Sequence, residues 1–367
     1  MAKHSLLSKL KRSWYALRKR RSPRSSSGFT LLELLVVTII AGGIVTGLTY
    51  MVIQLTQADL RESSRSETQR EMQMALDYIS NELRQASYVY TGTCLQGATG
   101  STPGDACAGL VNYIPASLSS NGSVPILAFW RQLPLPQRLR DDCTDRPEQN
   151  PVINGEQAPC LNANSYALIV YALVRDSSAN DANNIWRGRA RIVRYALTEF
   201  NNDGSARTQG YVNPGVYSNF DTWPFGPNPD GSGTIVNLQT VMPVPGRPNG
   251  TPQVLVDFVD DGRGALAQNP PVPVGTDITV CPNNPATPTA DYVVSPPLAV
   301  YSTVFPGARS FYACVSVTSG AAGVNQDTIL FLRGNANGRP SIFTDNAFLP
   351  TLETRVLSRS VLDRGGG

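Results

Sequence analysis

Leu34 to Ile53 is a run of twenty residues without a charge, and the nine basic residues before it stand with no acid up to Glu33. A helix needs about 20 apolar residues to cross the hydrocarbon of a bilayer, so this run constrains everything after it. Its basic flank is Lys3, Lys9, Lys11, Arg12, Arg18, Lys19, Arg20, Arg21 and Arg24. Positive charge just before a span holds that end in the cytoplasm. The expected topology is single-pass in the inner (plasma) membrane, with the N-terminus cytoplasmic and the rest periplasmic. An ordinary secretory signal carries its small-residue cleavage point after the apolar region. Here the small residue, Gly28, comes before it, so a cut between Gly28 and Phe29 leaves the membrane helix on the mature chain. Glu33 sits at the edge of the run, where a carboxylate at full depth costs about 2.5–3.5 kcal/mol, and is a functional candidate by default. The plainer alternative is a signal anchor with a glutamate near the interface.

Charge and residue usage narrow the function. The formal net charge is +3, but without the nine leader bases 22 basic residues face 28 acidic ones, which gives −6. A basic nucleic-acid surface does not follow from that balance. Arg18–Arg21 beside a span is better explained by topology. The single histidine, His4, lies in the leader. The mature chain therefore has no histidine for a Ser-His-Asp or Cys-His site, or for an imidazole metal site. Gly231-Ser-Gly233 and Gly262-Arg-Gly264 lie in proline-rich sequence and match no phosphate-binding fingerprint. No carboxylate pair stands out for acid–base catalysis. The expectation is a non-enzyme without cofactor, catalytic residues or metal centre. Asp176–Asn184 and Asp257–Asp261 offer oxygen ligands to calcium, but neither matches an EF-hand loop, and surface turns are the commoner use of such stretches.

Six cysteines remain, Cys94, Cys107, Cys143, Cys160, Cys281 and Cys314, with no Cys-x-x-Cys pair among them. An even number in a translocated domain points to disulfides. Many connectivities are open to six cysteines. Sequence neighbours close the shortest loops at the least entropic cost, which favours Cys94–Cys107, Cys143–Cys160 and Cys281–Cys314. Free buried thiols, Cys314 above all, are the alternative.

Proline is absent between Pro23 and Pro103, so one helix can run from about Phe29 to about Ser87. Residues 29–58 form its membrane half. Residues 59–88 form an amphipathic half, where Glu62–Arg65 and Glu67–Arg70 stand at i,i+3. Met72, Leu76, Ile79, Leu83 and Ala86 then make one apolar stripe, the pattern of a helix packed on a domain. Gly42, Gly43 and Gly47 weaken the membrane half, each by about 1 kcal/mol. Residues 89–367 read as a β-rich head, with strands expected at Val124–Trp130, Tyr166–Val174, Arg191–Glu199, Ile235–Met242, Gln253–Val259, Phe311–Val317 and Thr328–Arg333. Tyr166–Val174 is apolar on both faces, as in a central strand. Phe311–Val317 alternates as if one face met the core. Arg131–Asn164, Asn201–Gly233 and Asp260–Ala290 are too long for hairpin turns and read as functional or stapled loops. The fold class is α+β, with a long N-terminal helix on an antiparallel head.

Ser27-Gly-Phe-Thr-Leu-Leu-Glu-Leu-Leu-Val36 resembles the processing and methylation motif of type IV pilins and type II secretion pseudopilins. The resemblance implies a pilin-like fold and a prepilin peptidase that removes the cytoplasmic leader 1–28 after Gly28 and N-methylates Phe29. It also implies that Glu33 pairs with the Phe29 amine of a neighbouring subunit in a filament built by an inner-membrane platform and its ATPase. In related pilins the glycine-containing stretch of the helix loosens on assembly. Ala75-Leu-Asp-Tyr-Ile-Ser-Asn-Glu-Leu-Arg-Gln-Ala86 is similar to the helix end of J-type minor pseudopilins and W-type minor pilins. With Val124–Arg131, Tyr166–Arg175 and Trp186–Tyr195, it looks like the C-type pseudopilin of hormogonium polysaccharide secretion in filamentous cyanobacteria. That match covers roughly residues 25–200. It implies a minor structural subunit of a pilus-like machine for polysaccharide secretion and gliding. A membrane-anchored extracytoplasmic binding protein or enzyme that never assembles stays open beside it, as does a J-type subunit of a protein-exporting type II system.

Overall fold

The computed structural model describes residues 28–358 except 98–101, 121, 146–149, 162, 178–180, 182, 184, 263–280, 282–291, 306–309, 318–325 and 343–347. Nearly all of the expected leader and most of the Asp260–Ala290 loop therefore lie outside the described residues. The chain divides into two compact units between Ala58 and Asp59.

Helix α1 is Leu31–Leu83. It ends four residues short of the expected Ser87, and Ala86–Val89 is strand β1 instead. Tyr88 and Val89 are strand-favouring residues, and pairing with the next strand replaces a further helical turn. The expected apolar stripe is buried: Met72, Leu76, Ile79 and Leu83 lie in the main core, and Ala86 joins them from the strand.

After the short helix α2 (Gly92–Gln96) come β2 (Ser123–Pro134), helix α3 (Gln137–Asp145), the small hairpin β3 (Val152–Ile153) and β4 (Glu156–Gln157), β5 (Asn164–Arg175) and β6 (Ala190–Leu197). A second small hairpin, β7 (Phe225–Pro227) with β8 (Ile235–Asn237), precedes β9 (Gln253–Val259). The rest is β10 (Tyr292–Ser295), helix α4 (Leu298–Val304), β11 (Phe311–Ser316), β12 (Asp327–Arg333) and β13 (Thr351–Leu357). One antiparallel sheet has the order β1-β2-β5-β6-β9, the other β10-β11-β12-β13. The fold is α+β, with an apolar N-terminal helix and an antiparallel β region after it.

Strand β5 is central and apolar on both faces, as its sequence required. Ala167, Ile169, Tyr171 and Leu173 enter the core beneath α1. Leu168, Val170, Ala172 and Val174 enter a second core roofed by Leu95 of α2 and by loop residues such as Ile114 and Trp223. Two expectations are corrected. Ile235–Met242 is a strand only to Asn237, whose side chain accepts from the Gln239 N–H and turns Leu238–Thr240 into a 3-10 helix. Strand β11 is buried on both faces: Phe311, Ala313 and Val315 join the main core, and Tyr312 and Cys314 pack with Cys281 and Phe331. The helices α2, α3 and α4 and the strands β10 and β13 lay outside the sequence reading.

Three disulfides link Cys94 to Cys107, Cys143 to Cys160 and Cys281 to Cys314. They tie α2 and α3 to their following loops and fasten residue 281 over the outer face of β11. Each should stabilise the fold by about 2–4 kcal/mol. Mass spectrometry of unreduced protein should find no free thiol. Full alkylation of native protein by iodoacetamide would contradict the bridges.

Two devices cover sheet edges. The Gln326 side chain accepts from the Val89 N–H at 2.7 Å and donates to the Val89 carbonyl at 3.0 Å, so one amide caps the outer edge of β1. Gln326→Leu should cost about 1–3 kcal/mol through two orphaned backbone groups, read as a lower melting temperature. At Gly92, an added Cβ would stand 2.0 Å from the Val294 carbonyl, so only glycine lets α2 lie this close to β10.

Candidate functional site

In the first unit the motif residues sit at the start of a helix. Gly28 and Phe29 precede it and are exposed. The Thr30 carbonyl accepts the first helical bond, from the Leu34 N–H at 3.2 Å. The Thr30 hydroxyl accepts from the Glu33 N–H at 3.3 Å. This is half of a capping box, in which Thr stands at the N-cap and Glu three residues on. Glu33 also places a negative charge at the positive end of the helix dipole. Its carboxylate has no hydrogen bond or ion pair among the described residues.

Beyond Glu33 the helix is apolar all round, and an 18-residue window reaches a mean hydropathy of 2.3 with none of it buried within the chain. It is the one helix among the described residues long and apolar enough to cross a membrane. Three of its hydroxyls are satisfied within the helix: Thr38 donates to the Leu35 carbonyl, Thr46 to Gly42 and Thr56 to Val52. The helix runs unbroken through Gly42, Gly43 and Gly47, and a Cβ at any of them would meet nothing within 4 Å. Nothing among the described residues requires those glycines.

In the second unit, α1 is fastened by two ionic clamps. Glu82 is buried and takes a bidentate bond from Arg194, at 2.8 and 2.9 Å, and another from Arg131 at 2.8 Å. The Tyr171 hydroxyl donates to the same carboxylate. Burial alone would raise the Glu82 carboxyl, but the hydrogen bonds from Arg194 and Tyr171 and the charges of both arginines outweigh it and hold it below the usual range. About four turns earlier, Arg339 bonds Glu67 at 2.8 Å and also Glu71, with its guanidinium 4.0 Å from the Phe258 ring. Glu67 thus pairs with Arg339 across the fold. Burial raises the Glu71 carboxyl, the negative charges of Glu67 and Asp257 add to it, and Arg339 opposes them. Sequence reading missed these clamps. The signal for the first was a glutamate between Ile79 and Leu83, inside the apolar stripe, with Arg131 and Arg194 in the apolar strands β2 and β6.

The acids considered for calcium already have protein partners. Asp176 bonds Arg191, and Asp181 accepts from the Ile185 and Trp186 N–H groups. Asp257 accepts from the Arg187 and Gly188 N–H groups. Asp260 binds Arg333 and Asn335, and Asp261 faces Arg189 at 3.9 Å. No group of three metal-ligating side chains occurs among the described residues. The six cysteines, all bridged, lie in the second unit, away in sequence from Glu33. No protein family, curated protein or solved structure matches the chain.

Proposed function

We propose that this chain is a minor pilin-like structural subunit, cut after Gly28, methylated at Phe29 and assembled through Glu33 into a pseudopilus. The observation that carries the proposal is the junction itself. Gly-Phe-Thr-Leu-Leu-Glu, residues 28–33, stands where a basic leader meets an exposed apolar helix that continues into a packed head. The similarity of residues 25–200 to a polysaccharide-secretion pseudopilin extends the proposal to polysaccharide export and gliding. Prepilin peptidase, other pilins, and an assembly platform with its ATPase would be its partners. Exposed glycines in the membrane half suit either close helix packing or loosening during assembly.

A second reading rests on the position of Glu33 in the first turn of the helix, beside the positive end of its dipole. If Glu33 serves only to start the helix, the protein is an anchored extracytoplasmic domain that does not polymerise.

Lysine occurs only at positions 3, 9, 11 and 19, all in the leader. Cleavage after Gly28 therefore leaves the Phe29 nitrogen as the only amine of the mature chain. Intact-mass analysis of protein from native membranes should show a chain starting at N-methyl-Phe29, and an amine-reactive tag should label that residue alone. A retained Met1, or a cut after the apolar run, would defeat the proposal.

A further inference from the structure

Four strands end the two sheets: β1, β9, β10 and β13. Gln326 caps β1, and α2 lies against β10. Residues 333–335 meet only the far end of β9, through bonds to Phe258 and Asp260. From Gln253 to Asp257 β9 pairs with β6 on one side only; its other edge has no strand beside it among the described residues, and neither does the outer edge of β13. An open strand edge is a template for another chain.

Along the open part of β9 runs a groove of about 540 Å³, walled by Met74 and Tyr78 of α1 and by Trp186, with Glu71 and Asp257 as its acids. Met74 and Tyr78 are 50% and 44% exposed, unusual for the flank of a helix packed in a core. Asp257 Oδ1 is shielded from water and has no hydrogen-bond partner among the described residues. Tyrosine, tryptophan and methionine around an acid-rimmed slot are the composition of an interface centre.

Strand β13 is complementary. Its outward positions are Thr351, Glu353, Arg355 and Leu357, all exposed. Arg355 leans on Asp327 and Tyr292 yet keeps 65% of its side chain in solvent, and Leu357 is 57% exposed. Successive outward side chains on a strand are about 7 Å apart. Along α1, Met74 and Tyr78 lie about 4.5 and 10.5 Å beyond Glu71, one short of that step and one past it. A cation followed by an apolar residue on the strand thus matches an acid followed by Met74 and Tyr78 on the helix.

We propose that β13 of one copy enters the β9 groove of a second copy as an added strand, setting Arg355 against Glu71 and Asp257 and Leu357 on Met74 and Tyr78. The two surfaces differ, so the contact is head-to-tail, leaves a free groove at one end and a free strand at the other, and can continue. It depends neither on cleavage at Gly28 nor on Glu33, so it can fail or hold independently of the function proposed above.

The test uses full-length protein in detergent micelles, an equal mixture of ¹⁴N and ¹⁵N chains, with photoreactive p-benzoylphenylalanine in place of Met74. Irradiation should give mixed-isotope crosslinks between position 74 and residues 351–357. Leu357→Glu should lower their yield by at least about tenfold, as loss of a central contact does, with the circular dichroism unchanged. If that variant unfolds, Leu357→Ser provides the same reading. The proposal is overturned by crosslinks confined to one isotope, by crosslinks to another segment, or by a yield no higher than from the probe at exposed Val216. A yield indifferent to the folded Leu357 variant overturns it as well.

Discussion

Glu82→Ala should destabilise the second unit by about 3–5 kcal/mol, the cost of removing one partner from a buried ion pair. Arg131 and Arg194 would be left facing each other without their shared carboxylate, and the Tyr171 hydroxyl would lose its acceptor. Against a total of about 5–15 kcal/mol for a domain, that is a large loss. Glu82→Gln keeps the shape and loses the charge, and should recover only part of it. The measurement is thermal or protease-pulse unfolding of the full-length protein in micelles. The pH dependence has a definite sign. The folded carboxyl lies below its ordinary value of 4.5, so its contribution is complete above pH 4.5 and fades as pH falls through the lowered value. The stability gap between wild type and Glu82→Gln should therefore be constant near neutrality and close in acid. A gap below about 1 kcal/mol at pH 7, the scale of an exposed ion pair, would show that packing alone seats the helix.

Glu33→Gln should abolish incorporation into filaments while leaving insertion and cleavage intact. Glutamine serves at the third position of a capping box as well as glutamate does. The helix start with Thr30 is then preserved, and only the charge is lost. If Glu33 neutralises the Phe29 ammonium of a neighbour in hydrocarbon, its loss leaves that ammonium buried and unpaired, at about 3–5 kcal/mol. Apolar length and flanking charge, both unchanged, govern insertion. Glu33→Ala should fail to assemble in the same way. Sheared filaments or crosslinked subunit complexes, with polysaccharide release measured alongside, report the outcome. Normal assembly by both variants would show that Glu33 is a tolerated interfacial residue and not the assembly contact.

Local patterns carried most of what the sequence could say. The stripe Met72–Leu83 and the two-sided run of β5 are each set by a few neighbouring residues, so their burial could be read directly. The motif at residues 28–33 is contiguous, so it could be picked out before any fold was known, and the structure adds that it stands at the start of α1. The clamps were not: Glu82 meets Arg131 and Arg194 across 49 and 112 residues, and no local pattern encodes such a meeting. Strand β13 escaped notice because polar Thr354 on its inward side and apolar Leu357 on its outward side break an alternation that only its pairing with β12 makes plain. Ile235–Met242 misled because an asparagine side chain took over a backbone role at Asn237.

The two clamps on α1 also have a mechanical meaning. Glu67 and Glu82 are separated by roughly 22 Å of helix at 1.5 Å per residue, and each grips arginines that belong to other parts of the same unit. A pull along the helix axis would load both grips in parallel with the buried stripe between them. The helix cannot peel from one end without first breaking a bidentate arginine bond or dragging Arg339 from beneath Phe258. Traction along this stretch of helix would thus reach the sheets as shear, the loading direction in which many bonds must yield together.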